Sequence, residues 1–314
     1  MGVIIKSIEF TLGGKKENLE NLLKENLNWD IKRIYSKTGI NNRYISKKEE
    51  DVVTLSISSA NKTFKKFDKK KIDFLIFVTQ TSSYKLPSLA CILQNKLNLR
   101  TDIQAFDINM GCSGFIYALN LGEKIINSGQ AKNGLIICSD VYTKYISKNN
   151  SSCRPIFSDA SSAVILCKSN YNSIKKFVFG TDGSGALDLN LKENSKNITM
   201  NGSNVAIFAI KRVPEVIKEI LKKTNNSIKN IDKFIFHQAS KYVLDNIYRV
   251  LKIDKKRVFE NYKNFGNTTS SSIPIALKVA SLKKILKNNS KIILCGFGVG
   301  LSWGSVLLKW KKIN

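Results

Sequence analysis

The sequence predicts a layered α/β fold built from two similar halves. Apolar strands alternate with amphipathic helices along the chain, and three segments of the first half recur in the same order in the second. The matching segments lie about 157 residues apart. They are "KIDFLIFVTQTS" (71–82) with "NIDKFIFHQAS" (230–240), "FDINMGCSGFIYAL" (106–119) with "FENYKNFGNTTSSSIPIAL" (259–277), and "KNGLIICSDVY" (132–142) with "NSKIILCGFGV" (289–299). The two halves are predicted to cover residues 1–168 and 175–314.

Helices are predicted directly after three polar turns. Apolar residues recur at helical spacing after Cys112. Ser240 follows the strand that ends at His237 and is predicted to cap the next helix. After Asn267, the serines at 270–272 mark the start of a third helix. Each reactive side chain therefore precedes a helix N-terminus.

The composition excludes several classes of protein. The net charge is +27, yet only seven of the 51 basic residues are arginine and the lysines are scattered, which argues against a nucleic-acid reader. The hydrophobic content of 43% argues against disorder. No stretch resembles a membrane span or a signal peptide, so we expect a cytoplasmic protein with no membrane partner. Six cysteines without a C-x-x-C pair, together with a single histidine, predict no metal site.

The internal repeat gives His237 a possible function. A lone histidine beside an apolar run is more often a hydrogen-bonded core residue than a catalyst. In the repeat, however, His237 aligns with Thr79, and Cys112 aligns with Asn267. If the halves pack about a pseudo-twofold axis, these turns meet at one point. We therefore predict one site containing Cys112, His237 and Asn267.

These residue types fit thioester chemistry. Cys112 lies between Gly111 and Gly114 just before a predicted helix, whose N-terminus would stabilise a thiolate. Such a thiolate attacks thioesters or carbonyls. His237 and Asn267 can donate hydrogen bonds to a thioester oxygen that becomes an enolate.

At this point the residues match a known family. The chain resembles the β-ketoacyl-acyl carrier protein synthase III family of the thiolase superfamily over nearly its full length. The landmarks are "KTGINNRYI" (37–45), "PSLACILQNKL" (87–97), "DINMGCSGFIYAL" (107–119), "RPIFSDASSAVIL" (154–166), "FHQAS" (236–240), "NFGNTTSSSIPIAL" (264–277) and "GFGVGLSWGSVLLKW" (296–310).

The resemblance implies a homodimer with a five-layered αβαβα fold and a Cys-His-Asn triad. Cys112 would accept an acyl group from a thioester. His237 and Asn267 would bind malonyl-acyl carrier protein, drive its decarboxylation and stabilise the carbanion that attacks the acyl-cysteine. No bound cofactor is implied, because thioesters of coenzyme A or of acyl carrier protein are the substrates. The identity and chain length of the acyl donor stay open.

The resemblance also assigns residues outside the triad, with departures from the family pattern. Arg33 replaces a tryptophan that stacks on adenine, Lys37 replaces an arginine, and Ser240 replaces an asparagine. The "GFGVG" loop contains Val299 in place of a glycine, which requires a negative φ there. The implied substrate-binding residues are Arg33, Lys37, Leu86, Arg154, Ser240, Val299 and Gly300. The implied docking residues for an acidic acyl carrier protein are Lys211, Arg212, Lys241, Arg249, Lys256 and Arg257.

The sequence also bears on four alternative functions. A papain-like hydrolase lacks its signature in this sequence, and a degradative thiolase would have a histidine at the position of Asn267. A nucleic-acid-binding protein would show strongly salt-dependent DNA binding without thioester chemistry. The closest alternative is an acyltransferase of the same superfamily that passes the acyl group to an alcohol or amine, without release of carbon dioxide from malonyl thioesters.

Overall fold

Two mixed β-sheets carry the architecture. The computed structural model describes residues 2–313, apart from the side chain of Leu23. The strands are β1 (Gly2–Leu12), β2 (Lys15–Asn18), β3 (Asn42–Ile45), β4 (Phe74–Val78), β5 (Gln104–Ile108), β6 (Asn133–Asp140), β7 (Ala160–Ser169), β8 (Ile174–Thr181), β9 (Leu189–Asn190), β10 (Thr199–Met200), β11 (Lys233–Phe236), β12 (Lys291–Gly298) and β13 (Ser302–Lys309).

The helices cover both faces of these sheets. They are α1 (Leu19–Lys24), α2 (Ile31–Thr38), α3 (Val52–Phe64), α4 (Leu89–Lys96), α5 (Gly114–Asn127), α6 (Gly202–Lys223), α7 (Lys241–Leu251), α8 (Tyr262–Phe265) and α9 (Ser272–Leu282). Short 3₁₀ turns complete the chain, including one at Thr269–Ser271. Within the part of the chain that the structure describes, no helix combines the length and the apolar character needed to cross a bilayer.

The two sheets repeat one pattern of strand pairing. The first has the order β1-β7-β6-β4-β5 and the second has the order β11-β12-β13-β8. In the first sheet β4 is parallel to β6, which is antiparallel to β7. In the second, β11 is parallel to β12, which is antiparallel to β13. The chain passes from one sheet to the other between Ser169 and Ile174.

The helices form three layers around the sheets. Helices α5 and α9 pack between them, and their apolar residues join one core with residues of both sheets. Helices α3 and α4 cover the outer face of the first sheet, and α6 and α7 cover the outer face of the second. The predicted five-layered αβαβα fold is therefore confirmed, with α5 at its centre.

Local sequence signals account for the elements around the candidate site. The five residues of β4 are all apolar and buried, as expected for a parallel strand covered on both faces. Helix α7 begins after Ser240, which is in the extended N-cap conformation, although its side chain makes no capping hydrogen bond. Helix α9 begins at Ser272, directly after the 3₁₀ turn. The three predicted helices are all present, each beginning within a few residues of its reactive side chain.

The pairing of Phe74 with Gly134 leads to a test of the first sheet. The two residues are directly opposite on β4 and β6, and a Cβ added to Gly134 would lie 1.9 Å from Cζ of Phe74. Because Phe74 is fully buried, its ring has no solvent to move into. We expect Gly134→Ala to lower the free energy of unfolding by about 1–3 kcal/mol in urea titration. Gly183→Ala is the matched control, since nothing lies within 4 Å of its added Cβ. Equal stability of both variants would contradict the packing argument.

Candidate active site

The three predicted catalytic residues line one small cavity. It has a volume of about 100 Å³ and lies between the N-terminal end of α5 and the outer helices α6 and α7. Its residues are Cys112, Ile156, Phe157, Leu189, Met200, Gly202, Val205, Ala206, Ala209, His237, Ala239, Ser240, Val243, Asn267, Phe297 and Gly298. Most of these residues are apolar, and the polar side chains among them are those of the predicted triad and Ser240.

Cys112 lies at the start of α5 in close contact with strand β12. Its side chain is 4% exposed. A Cβ added to Gly298 would lie 2.9 Å from Cβ and 3.1 Å from Sγ of Cys112, and one added to Gly296 would lie 2.7 Å from the carbonyl oxygen of Cys112. Only glycine permits this approach. The glycines of the "GFGVG" segment therefore set the distance between the nucleophile and the second sheet.

Burial controls the ionisation of Cys112. It raises the pKa of the thiol far above the ordinary value, and the negative charge of Asp140 raises it further. The helix N-terminus acts in the opposite direction. Burial therefore favours the neutral thiol of Cys112, whereas the helix N-terminus favours the thiolate.

His237 follows β11 and is held by three contacts. Its backbone N–H donates to the carbonyl of Cys295 at 2.8 Å, and its ring Nδ1 lies 2.7 Å from Oγ of Ser272. The ring meets Phe297 edge-on at 5.5 Å between centroids. Burial lowers the pKa of His237 to about 3, against a smaller opposing effect of a backbone hydrogen bond with Thr269. The imidazole is therefore neutral at physiological pH.

Asn267 is fixed through its backbone and its side-chain oxygen. Its N–H donates to the carbonyl of Ile156 at 2.9 Å, and its carbonyl accepts from the N–H of Ser158 at 2.8 Å. Its Oδ1 accepts from the N–H of Thr269 at 2.9 Å. With the oxygen engaged in this way, the Nδ2 group is the hydrogen-bond donor that Asn267 can offer to a substrate.

Comparisons with known proteins agree with this geometry. Residues 106–183 match the family model described as 3-oxoacyl-[acyl-carrier-protein] synthase III, and residues 221–310 match the model of its C-terminal part. A β-ketoacyl-[acyl-carrier-protein] synthase III of Clostridium perfringens strain SM101 is 38% identical, covering 97% of this chain and 98% of that protein. The chain belongs to this family. It is an enzyme of the acyltransferase type, and it condenses acyl groups.

Two further relatives extend the similarity. The synthase III of Clostridium tetani strain Massachusetts / E88 is 33% identical, over 93% of each chain. The crystal structure of 3-oxoacyl-[acyl-carrier-protein] synthase III from Aquifex aeolicus VF5 superimposes with a TM-score of 0.93 at 31% identity, covering 98% of this chain and all of that one. Both sheets and the central helices therefore follow the arrangement of the family.

The residues predicted for substrate binding lie in different places. Ser240 lines the cavity. Val299 and Gly300 follow directly after β12, next to the cavity. The φ of Val299 is not positive, which is the condition that the sequence set for a valine in this glycine loop. Arg33 and Lys37 are exposed on α2. They remain candidates for contacts outside the cavity.

Arg154 and Leu86 also lie outside the cavity. The guanidinium of Arg154 is buried and donates to Glu25 at 2.5 Å and to the carbonyl of Lys148 at 2.9 Å. A phosphate bound by Arg154 would have to compete with Glu25. Leu86 is 86% exposed in the single chain. Such exposure is expected of an apolar side chain that would contact a second subunit.

The six predicted docking cations form two groups, of which the first is available to a partner. Lys211 lies on α6, Arg249 lies near the end of α7 and Lys256 follows it. All three are exposed, and none forms an ion pair with another residue in the range 2–313. These three exposed side chains are therefore the first candidates for contact with an acidic protein.

The second group is engaged within the chain. Arg212 pairs with Glu215 at 3.0 Å, and Lys241 pairs with Asp245 at 2.7 Å. Arg257 is half-buried and donates to three backbone carbonyls of the turn at 228–231. Arg257 therefore stabilises a turn, and its charge is less available than the sequence alone indicates.

Sequence reasoning missed several residues around the triad. Phe157 and Phe297 form cavity walls, Ser272 contacts His237, and the Asp140 carboxylate hydrogen-bonds to the turn that follows Asn267. Phe157, Phe297 and Ser272 lie inside the family landmarks, and Asp140 lies inside the repeat segment at 132–142, so these motifs mark the neighbourhood of all four residues. Nothing in the motifs indicates that Asp140 contacts the turn after Asn267.

The raised pKa of Cys112 leads to a test by alkylation. The thiolate fraction of a group whose pKa lies above the ordinary thiol value is very small at pH 7 and grows as the pH increases. We expect the rate at which iodoacetamide modifies Cys112 to keep rising above pH 9. Intact-protein mass spectrometry with Cys112→Ala as the subtraction control measures it, because the exposed Cys91 also reacts. A plateau below pH 8 would show that the helix N-terminus outweighs burial.

Proposed function

We propose that this enzyme condenses an acyl thioester with malonyl-acyl carrier protein, and that Cys112, His237 and Asn267 are its catalytic residues. The observation that carries this assignment is that the three side chains line one cavity. One of them is a nucleophile. The other two are each fixed through one polar atom, which leaves Nε2 of His237 and Nδ2 of Asn267 for the substrate.

In the first half-reaction Cys112 becomes acylated. Its Sγ forms a bond to the carbonyl carbon of the donor thioester, and the carbon–sulfur bond of the donor then breaks. The thiol proton ends on the departing thiol, so the step is balanced without a charged base. The start of α5 supplies backbone N–H groups beside the developing oxyanion.

In the second half-reaction His237 and Asn267 hold the thioester oxygen of the malonyl group. The bond to the carboxylate breaks, carbon dioxide leaves, and the electron pair passes into the enolate whose oxygen accepts both hydrogen bonds. The carbanion then attacks the carbonyl carbon of the acyl-cysteine, and the carbon–sulfur bond to Cys112 breaks. The released thiolate takes a proton from solvent. The hydroxyl of Ser272 supports the required tautomer, since it can donate to Nδ1 while Nε2 carries the proton.

The apolar walls favour decarboxylation. Phe157 and Phe297 line the cavity beside the triad, and a neutral His237 offers no positive charge to the malonyl carboxylate. A carboxylate in such surroundings is poorly solvated, whereas carbon dioxide is neutral. The apolar surroundings that keep His237 neutral therefore destabilise the malonyl carboxylate relative to carbon dioxide.

The acyl donor is proposed to be a thioester of coenzyme A or of acyl carrier protein. Arg33, Lys37 and Arg154 are the cations that the family resemblance assigns to donor binding, and the ion pair of Arg154 with Glu25 leaves its guanidinium less available to a nucleotide phosphate. The ion pair of Arg154 with Glu25 therefore supports an acyl group bound to acyl carrier protein as the first candidate for the donor. Val299 and Gly300 are proposed to complete the loop around the bound thioester.

We also propose a homodimer. Strand β5 is at the edge of the first sheet and pairs only with β4 within the described chain. An open edge is a ready surface for pairing with a second copy. Leu86 and Tyr84, which are 86% and 52% exposed, precede helix α4 next to this strand. Burial of these side chains against a partner would remove an exposed apolar surface.

The division of labour within the triad is testable by separating the half-reactions. We expect Cys112→Ala to abolish the acyl mass adduct. We expect His237→Ala and Asn267→Ala to retain the adduct but to lower malonyl decarboxylation about 100-fold or more each, because each loses one oxyanion donor. Intact-protein mass spectrometry follows acylation, and release of labelled carbon dioxide follows decarboxylation.

Two outcomes would contradict this scheme. Loss of acylation with normal decarboxylation in the His237 and Asn267 variants would reverse the roles. Acyl transfer to an alcohol or amine, with no carbon dioxide release by the unmodified enzyme, would favour the alternative acyltransferase function. Melting temperatures of all three variants serve as the control for misfolding.

Carrier-protein docking is proposed for the exposed cations Lys211, Arg249 and Lys256, with Arg212, Lys241 and Arg257 as secondary contributors. Helices α6 and α7 pack against each other and supply walls of the cavity. Cations on their outer surfaces would therefore orient an acidic carrier near the cavity. Arg249 is the first choice because it is exposed and its only side-chain partner in the described chain is Asn246.

Reversing the charge at Arg249 tests the docking surface. We expect Arg249→Glu to raise the KM for malonyl-acyl carrier protein on the order of tenfold and to weaken its dependence on salt. Turnover of a small malonyl thioester should barely change. Lys168→Glu, at an exposed position on β7 of the first sheet, is the control with the same charge change. An equal effect of Arg249→Glu on both substrates would mean that the substitution disturbs the cavity and that docking does not use this position.

A further inference from the structure

A buried carboxylate beside the candidate active site has no role in the chemistry above. Asp140 is at the end of β6 and is fully buried. Its Oδ1 accepts from the N–H of Gln80 at 2.8 Å and from the hydroxyls of Thr79 and Thr81. No lysine or arginine in the described range pairs with it. Neutral donors alone compensate this carboxylate, which is costly to bury.

The second oxygen of Asp140 reaches across to the other half of the chain. Oδ2 accepts from Oγ1 of Thr269 and from Oγ of Ser270, both at 2.6 Å. These residues form the 3₁₀ turn between Asn267 and helix α9. The carboxylate therefore bridges the end of β6, the turn at 79–81 and the turn that positions a triad residue.

Thr269 is held in an unfavourable backbone conformation. Its φ is +48°, in the left-handed region, and it is fully buried. A β-branched residue is rare there and needs surrounding interactions to remain. The short hydrogen bond from its hydroxyl to Asp140 is such an interaction. In this conformation the N–H of Thr269 donates to Oδ1 of Asn267 at 2.9 Å.

We propose that Asp140 and Thr269 are positioning residues that set the orientation of the Asn267 carboxamide for the malonyl half-reaction. The Asp140 carboxylate holds the Thr269 hydroxyl, the strained Thr269 backbone directs its N–H to Oδ1 of Asn267, and Nδ2 is thereby presented to the substrate. Without the hydroxyl, the turn relaxes and the carboxamide loses its fixed direction. The proposal rests on the function proposed above for Asn267.

The chain offers a matched pair of variants. Thr269 and Ser270 donate to the same oxygen at the same distance, but only Thr269 also holds Asn267. Thr269→Val keeps the side-chain volume and removes the hydroxyl, whereas Ser270→Ala removes the neighbouring hydrogen bond. Thr269→Ser restores the hydroxyl without the β-branch. Asp140→Asn keeps the volume and one acceptor oxygen, and it serves if Thr269→Val fails to fold.

We expect Thr269→Val to lower malonyl decarboxylation about tenfold to a hundredfold while Cys112 still accepts acyl groups. Thr269→Ser and Ser270→Ala should retain most of the decarboxylation rate, and Asp140→Asn should behave like Thr269→Val. In an Asn267→Ala background, Thr269→Val should cause no further loss, because its effect acts through Asn267. Additive losses, or equal losses in Thr269→Val and Ser270→Ala, would overturn the proposal.

A crystal structure of Thr269→Val separates this inference from the proposed function. We expect the Asn267 carboxamide to turn or to occupy more than one orientation. An unchanged carboxamide would overturn the positioning role, whatever the activity. If the unmodified enzyme releases no carbon dioxide from malonyl thioesters, the proposed function fails, while the orientation of Asn267 in the variant still decides the positioning role.

Discussion

The start of helix α5 lies directly against strand β12, and the rest of the candidate site is arranged around this contact. A Cβ at Gly296 would lie 2.7 Å from the carbonyl oxygen of Cys112, and one at Gly298 would lie 3.1 Å from its Sγ. The contact continues through a hydrogen bond of 2.8 Å between the hydroxyls of Ser113 and Ser302. Since α5 lies in the central layer, its distance from the second sheet fixes how far Cys112 is from His237. Two glycines thus connect the packing of the layers to the chemistry.

Burial at this contact determines the charge state of the site. It raises the pKa of Cys112 and lowers the pKa of His237 to about 3. Burial thus favours the neutral form of both groups, and it also raises the pKa of Asp140 against the effect of its hydrogen bonds. A neutral site suits a reaction in which a carboxylate leaves as carbon dioxide. In the proposed mechanism, the neutral imidazole of His237 acts as a hydrogen-bond donor.

The large positive charge of the chain has more than one structural use. Buried Arg43 pairs with Glu17 and donates to the carbonyl of Phe157, a wall of the cavity. Arg257 stabilises a turn through backbone carbonyls. These two arginines stabilise the fold through internal contacts, whereas exposed lysines interact with solvent. The cations on and near helices α6 and α7 are the ones proposed for recognition of a carrier protein.

The sequence by itself determined the alternation of strands and helices, the repeat, the family and the grouping of Cys112, His237 and Asn267, which line one cavity. These features depend on apolar periodicity and on short motifs, which are local in the chain. The positions of Ser240 and Val299 at the site were likewise available from the motifs.

Only the tertiary structure decided the charge states and the supporting contacts. The helix N-terminus predicted stabilisation of a thiolate at Cys112, whereas burial raises the pKa of the thiol, and burial depends on residues that are distant in sequence. Arg154 and Arg257 were expected to face ligands, yet partners distant in sequence engage them. Asp140 and Thr269 are 129 residues apart, and their contact exists only after the two halves pack together. Hydrogen bonds between distant segments are a property of the packed layers, which no local pattern of residues encodes.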